Sequence, residues 1–339
     1  LVQEGLSPFA KVRRRLKLPR FSLGSFSEAG TVFDPDLLVP IMEEISARLD
    51  DIETDPRLRA LERRPTAVDG TMIEALPKMV WALWRDDERR AAKLHLQLDL
   101  LSGAPEKPTL TDAQTSETRT LEANLAAGRL YIADRGYFDY DLMAAIMRAE
   151  SSFVTRVRDW AVCDLVQENP ISAKMAAAGV ERDAIVRVGC KNTAHKIDRP
   201  LRMVRIHVTS AAPGPNNIDR KTKMYRTREV DHTLILLTDL VDIDVELIAL
   251  LYRYRWQIEL FFRWFKKVLE ADRLLALSEN GLTIVVYCAL IASMLVTLWT
   301  GRKPTKRTFE LLCFYFGGWV SDADLIEHLN RLAEADSKK

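Results

Sequence analysis

The sequence predicts a mixed α/β fold with a strand-rich insertion, on three observations. Leu94, Leu96, Leu98 and Leu100 alternate with Lys93, His95, Gln97 and Asp99, the period of two that marks a strand with one buried face. Leu130-Tyr-Ile-Ala-Asp134 is a short apolar run that stops on a carboxylate, between two stretches of helical character. Residues 158 to about 232 then change texture, with short apolar runs, Gly, Pro and many basic residues, and read as strands.

The elements follow in order. Residues 1–50 read as helical and partly basic, with a Gly/Ser break at Ser22–Ser27 and a helix opened by Asp34-Pro-Asp that runs through Leu49. Residues 66–72 read as a short strand. The alternating strand ends at Gly103-Ala-Pro105, and residues 108–111 are placed to pair with it. Residues 116–128 suit a helix, Asp139 to Glu150 another, and Phe153 to Val157 a further strand. Asp139 and Asp141 suit the cap and first turn of that second helix. Leu201 to Val208 alternates weakly, and Thr233–Thr238 is an apolar strand. One long helix is expected from about Asp244 to Ala271, and another over residues 280–300. Three strands, a helix, a strand, a helix and a strand make an α/β layer with an insertion before its last helices. The divisions are residues 1–60, 61–157, 158–232 for the insertion, 233–301, and a helical tail over 302–339.

Composition narrows the class. At 339 residues the chain can bury a large core, and its net charge of +1 does not announce a nucleic-acid binder. Local charge says more. Lys11 to Arg20 is a dense basic run, and Lys196 to Arg228 holds Arg199, Arg202, Arg205, Arg220, Lys221, Lys223, Arg226 and Arg228. Such patches fit a protein whose acidic site must approach phosphate, and equally fit solvated surface. Cys163, Cys190, Cys288 and Cys313 form no CxxC pair and the five histidines have no zinc spacing, so reduced, mostly buried thiols are expected in a cytoplasmic protein. Gly281 to Thr300 carries no charge over 20 residues, long enough for a bilayer, but Thr283, Tyr287, Ser293 and Thr297 favour a buried core helix.

The long helix is the most informative segment. At about 100° per residue, Tyr252, Arg255, Glu259 and Lys266 fall within a sector of roughly 60°. Ile258, Phe261, Phe262, Phe265 and Leu269 fall on the other side. One account is a surface amphipathic helix with Arg255–Glu259 and Glu259–Arg263 ion pairs. The other is a carboxylate metal ligand beside groups that grip phosphate, a task suited to Arg and Lys.

Tyr252, Arg255, Glu259 and Lys266, with two, three and six residues between them, match the Tyr-Arg-Glu-Lys signature of the insertion-sequence-four family of DDE transposases, which this chain resembles. Ala67-Val-Asp-Gly-Thr71 resembles the family's first-acid strand and Ala133-Asp-Arg-Gly-Tyr137 its second-acid motif. The resemblance covers roughly residues 20 to 330. It implies a ribonuclease-H-like α/β catalytic core, split into 61–157 and 233–301, with the strand-rich insertion between the second and third acids. It implies Asp69, Asp134 and Glu259 as the catalytic acids holding two Mg²⁺ ions, with Mn²⁺ able to substitute. It also implies phosphate contacts from Tyr252, Arg255 and Lys266. Two ions roughly 4 Å apart activate a water and stabilise the leaving oxygen at phosphorus. Asp69 interrupts an apolar strand and Asp134 ends one, so each buried carboxylate needs a partner. Taken singly, a turn role for Asp69 before Gly70 and pairing of Asp134 with Arg135 stand beside catalysis.

Further expectations come from the same resemblance. The partners are double-stranded DNA, as terminal inverted repeats and target, and a second copy of the chain on DNA, with no membrane. The location is the bacterial cytoplasm at the nucleoid. Arg135 and Tyr137 are candidate DNA contacts, and the insertion's basic residues candidate guides for the backbone. Residues 1–60 are expected to hold a truncated or reduced DNA-binding part. Some relatives stack a flipped base on an insertion Trp, and Trp160, near the insertion's start, does not align with that role. A ribonuclease-H-like nuclease that does not transpose, and an inactive transposase-derived DNA-binding protein, are the alternatives.

Overall fold

The computed structural model describes residue 17 and residues 23–74, 91–158, 161, 163–189, 193, 196–218, 225–268, 278–316 and 318–337. Strands β1 (Arg64–Glu74), β2 (Ala91–Asp99) and β3 (Pro105–Asp112) form an antiparallel meander. The strands β4 (Arg129–Ala133) and β5 (Ser152–Arg156) add on the other side of β1 and run parallel to it. Next to β5 lies β9 (Tyr225–Thr238), antiparallel, followed outward by β8 (Leu201–Ile218), β7 (Val180–Val188) and β6 (Cys163–Glu168). Among the described residues these nine strands make one sheet in the order β3-β2-β1-β4-β5-β9-β8-β7-β6. The strands between residues 163 and 218 thus continue the sheet laterally, and β9 runs across the expected division at 232–233.

Helices cover both faces. In chain order they are α1 (Leu23–Val32), α2 (Val39–Ala47), α3 (Pro56–Arg59), α4 (Glu117–Ala123), α5 (Tyr140–Arg148), α6 (Ala173–Ala177), α7 (Val245–Tyr254), α8 (Trp256–Val268), α9 (Glu279–Thr300), α10 (Lys306–Phe316) and α11 (Asp322–Ser337). On one face Ala67, Ile132, Val154 and Leu236 pack with Ile248, Leu251, Ile258, Phe262, Phe265 and the α9 residues Leu282, Val286 and Leu290. On the other, Val68, Tyr131, Ala133 and Phe153 pack with Leu121 of α4 and Leu142, Met143 and Ile146 of α5. Strands β1, β4 and β5 alternate between these two cores because successive side chains leave a pleated strand on opposite sides.

Three expectations change. The leucine-alternating strand β2 is buried on both faces, not one. Its polar side is roofed, so His95 bonds Thr111 (2.9 Å), Gln97 donates to Asn124 O (2.9 Å) and Lys93 donates to Thr115 O (3.2 Å). Polar residues are tolerated inside when they are hydrogen-bonded. The single helix expected over 244–271 is two, α7 and α8, joined at Arg255. Its backbone stays helical (φ −51°, ψ −33°), but the hydrogen bonds tighten there: Arg255 N–H reaches Tyr252 O and Ile258 N–H reaches Arg255 O. Residues 269–271 lie outside those described. The thiols are not mostly buried: Cys163 is half-buried, Cys288 on α9 and Cys313 on α10 are exposed, and Cys190 lies outside the described residues.

The helix α9 is long and apolar enough to cross a membrane by length and composition. It instead lays Leu282, Val286, Leu290 and Met294 against the sheet, with Tyr287 donating to Pro108 O (3.2 Å) and Ser278 capping its start at Gly281 N (3.0 Å). The cap expected of Asp139 is present: its carboxylate accepts Asp141 N–H (2.8 Å) and Leu142 N–H (3.1 Å) at the start of α5. Asp139→Ala is expected to destabilise the chain by about 1 kcal/mol, read from the midpoint of a urea melt, with no change of slope.

Candidate active site

The sheet brings the two aspartates together by register. Parallel pairing of β1 with β4 runs from Arg64↔Arg129 to Ala67↔Ile132. Two residues further, where the pairing has ended, Asp69 and Asp134 are the next register equivalents on the side of Ala67 and Ile132. Adjacent strands are about 4.8 Å apart, so the carboxylates stand side by side where β1 and β4 part. Nothing in a one-dimensional reading of Ala67–Thr71 and Ala133–Tyr137 states that register.

Each aspartate also has a local role. Asp134 caps the 3₁₀ turn Arg135–Tyr137, accepting Gly136 N–H at 2.7 Å. That turn is held from β5 and beyond: Thr155 Oγ1 donates to Asp134 O (3.1 Å), and Arg158 donates to Arg135 O and Gly136 O (2.9 Å each). Asp69 accepts Gly70 N–H at 2.8 Å. Burial pushes the Asp69 carboxyl up to about 7, against the pull of the Gly70 N–H and the Arg255 guanidinium, while the Asp134 and Glu117 carboxylates push the same way as burial. A carboxylate left this poorly compensated is a mark of functional sites.

The α7–α8 junction faces the pair. Ile258, Phe262 and Phe265 are buried and seat α8 against the sheet. Glu259 accepts Arg255 Nη2 at 2.5 Å, so the i,i+4 ion pair expected on this helix is present, both partners partly buried. Arg255 also lies over the Tyr252 ring at 5.7 Å, and its Nε is buried without a hydrogen-bond partner. Burial raises the Tyr252 phenol, opposed by Arg255 and Arg156. Arg263 sits over the Trp256 ring at 5.8 Å. Lys266 lies on α8 two turns past Glu259, about 10 Å along the axis, and is half-buried.

The structure therefore gathers Asp69, Asp134, Tyr252 and Arg255, and joins Glu259 to them through Arg255. Among the described residues no three Asp, Glu, His or Cys side chains converge closely enough to hold a metal ion. The donor chemistry of the aspartate pair suits a hard divalent cation, because both ligands are carboxylates in a desolvated place.

Some expected contacts fall elsewhere. Tyr137 is 3% exposed and packs in the second core with Tyr131 and Phe153, so it is not a surface DNA contact. Arg202 is buried in a pair with Asp183 (2.7 Å) and donates to Val241 O (3.1 Å), so it is spent on structure. Arg135 and Arg205 are exposed. Most of the Lys11–Arg20 run, Trp160, Arg220, Lys221 and Lys223 lie outside the described residues. One residue the sequence reading missed is Glu117, in the first turn of α4. Its carboxylate influences both Asp69 and Tyr137. No spacing rule marks it; the only signal was an acid at the start of a helix following the β2–β3 hairpin.

An α/β sheet that sets two aspartates side by side, faced by a helix junction carrying an Arg–Glu pair, defines a protein with an acidic site suited to chemistry at phosphate. Residues 60–295 match the family described as the transposase DDE domain, and the chain belongs to that family. A Sinorhizobium fredii protein named as a transposase, y4zB, is 30% identical over 251 residues, covering 73% of this chain and 63% of that protein. A Geobacillus stearothermophilus protein named as the transposase for insertion sequence element IS5377 is 22% identical over 298 residues, covering 88% of this chain and 72% of its own. The chain thus matches less than two-thirds of the first of these relatives. A solved piggyBac transposase synaptic complex with hairpin DNA aligns with a TM-score of 0.38 at 11% identity, over 78% of this chain and 56% of that one.

Proposed function

We propose that this chain is the catalytic part of an insertion-sequence transposase, which cuts DNA at the element's ends and joins the freed 3′ end to target DNA. The observation that carries the reading is the register-matched pair Asp69 and Asp134 facing Arg255 and Glu259, the motifs that the family resemblance selected from three separate stretches of sequence. The strand order β3-β2-β1-β4-β5, antiparallel then parallel, supports a ribonuclease-H-like core, with β6 to β8 and the outer part of β9 as its insertion.

In this reading Asp69 and Asp134 hold Mg²⁺ or Mn²⁺, and Glu259 completes a two-ion site after leaving Arg255. The ions supply Lewis-acid stabilisation of the attacking and leaving oxygens. The chain's own groups do the rest. Asp69, raised to about 7, must surrender its proton before it serves as a ligand. Arg255 offers its fork, and Lys266 a point charge, to the phosphates near the scissile bond. Tyr252 supports Arg255 from below through its ring. The substrates are double-stranded DNA ends and target, engaged by two copies of the chain at the bacterial nucleoid.

The test is incubation of the purified chain with supercoiled plasmid carrying the element's ends, with Mg²⁺ or Mn²⁺ and then EDTA, beside Glu259→Gln. Metal-dependent breaks at the ends, absent from the variant, are expected, and joined products distinguish transposition from simple nuclease action. End binding without cutting by either protein would leave a DNA-binding protein in its place.

A further inference from the structure

The row of register equivalents that sets Asp69 beside Asp134 continues onto β5. Parallel pairing of β4 with β5 runs from Leu130↔Ser152 to Ala133↔Thr155, so the next equivalent of Asp134 is Arg156. Val154 packs in the core under α7 and α8, Phe153 packs in the opposite one, and Arg156 follows Val154 in the alternation. Asp69, Asp134 and Arg156 therefore stand in one row on the face that α7 and α8 cover, each about 4.8 Å from the next. Helix α7 packs across β4 and β5 and brings Tyr252 to this end of the row. Burial raises the Tyr252 phenol, and the charges of Arg255 and Arg156 both oppose it.

Two arginines lie close together at the end of β5, and they are used differently. Arg158 donates to Arg135 O and Gly136 O, and so clamps the turn that Asp134 caps. Arg156 is half-buried, and its guanidinium has no hydrogen-bond or ion-pair partner among the described residues. The Asp134 carboxylate next to it accepts the Gly136 N–H instead. A guanidinium carries five N–H donors, and drawing it out of water without acceptors is unfavourable. Nothing in the packing of the chain offsets that cost. A ligand with several anionic oxygens, bound beside Asp134, would.

We infer that Arg156 is a further DNA-binding residue of the active site, which holds the phosphate at the cut from the β5 side, opposite the grip of Arg255 and Lys266 from the helices. This presupposes that the aspartate pair marks the place of cleavage. The Tyr-Arg-Glu-Lys signature omits Arg156 because that signature describes a helical stretch, and Arg156 belongs to the sheet. Arginine suits the position because its planar fork presents parallel N–H donors to two oxygens of one phosphate.

The test is binding of the whole chain to end DNA in EDTA, where no cutting occurs, followed by fluorescence anisotropy. Arg156→Ala is expected to weaken binding about tenfold, the range of one charge-assisted pair, and to lower the slope of log affinity against log salt by about one. A second DNA carries a neutral methylphosphonate in place of the phosphate at the cut. On it the wild type and Arg156→Ala are expected to bind alike, which a loss through misfolding would not produce. An equal loss on both DNAs, or no loss on either, overturns the role of Arg156. If the wild type still binds and cuts the ends in Mg²⁺, that result leaves the aspartate site standing. A wild type that neither binds nor cuts the ends overturns both. Arg156→Lys carries the same comparison in case Arg156→Ala does not fold. It keeps the charge without the fork, and about a threefold loss is expected on ordinary DNA and none on the neutral one. Wild-type affinity of Arg156→Lys on ordinary DNA would count against the fork.

Discussion

Asp69→Asn is expected to abolish end cleavage and, in the same molecule, to make the metal-free chain more stable above pH 7. The loss of activity should reach about a thousandfold, which corresponds to several kcal/mol of transition-state stabilisation lost with a metal ligand. The stability gain follows from linkage. The Asp69 carboxyl titrates at about 7 in the folded chain against 3.8 for its ordinary value. Between those values the native state holds a proton that the unfolded chain has released. Stability therefore falls as pH rises through that window, and the loss is complete above pH 7. At about 1.4 kcal/mol for each pH interval of one between the two values, the full effect is a few kcal/mol at most. Thermal melts in EDTA should show a midpoint that declines from pH 4 to pH 8 in the wild type and declines less in Asp69→Asn. Adding Mn²⁺ at pH 8 should restore the wild type and leave the variant unmoved. A wild-type melt that does not decline over this range would contradict the burial argument. Cleavage by Asp69→Asn would contradict its assignment as a ligand.

Arg255→Ala is expected to weaken binding to transposon-end DNA by roughly 10- to 100-fold, the range of one or two charge-assisted hydrogen bonds. The same change frees Glu259, which accepts Arg255 Nη2 in the DNA-free chain. Mn²⁺ binding without DNA should therefore tighten, opposite in sign to the DNA effect. In the wild type one guanidinium cannot fully serve both Glu259 and a phosphate. DNA that draws Arg255 away releases Glu259, so DNA and Mn²⁺ should each strengthen the binding of the other by the same factor. That factor is measured by titrating Mn²⁺ with and without end DNA under non-cleaving conditions, and Arg255→Ala should bring it to one. Arg255→Lys keeps the charge but not the planar fork, and should recover only part of the DNA affinity. If Arg255→Ala weakened Mn²⁺ binding as well, Arg255 would be a scaffold for the site and not a competitor for Glu259.

Much of the architecture was readable from local pattern. The alternation at Leu94–Leu100, the apolar run ending at Asp134 and the cap at Asp139 each depend on neighbours within a few residues, and the elements at Ala91–Asp99, Arg129–Ala133 and Tyr140–Arg148 appear where those patterns put them. The spacing of Tyr252, Arg255 and Glu259 marked helical backbone for the same reason, since helical periodicity is local, although the tightening at Arg255 divides that stretch between α7 and α8. The burial of Ile258, Phe262 and Phe265 agrees.

What the pattern did not contain was decided by contacts distant in sequence. The second buried face of β2 exists because α4 and its loop roof Lys93, His95 and Gln97, and a polar residue with an internal partner looks the same in sequence as one facing water. Arg202 and Tyr137 read as surface groups for that reason and are buried by Asp183 and by the core around Tyr131. The sequence by itself determined which acids to consider and which helix carries Glu259, because those signals lie in short motifs. Only the tertiary structure decided that Ala67 pairs with Ile132, that Asp69 therefore stands beside Asp134, and that Glu117 enters between Gly70 and Gly136. Strand register and helix docking are set by the fit of whole surfaces, and no segment carries that information alone.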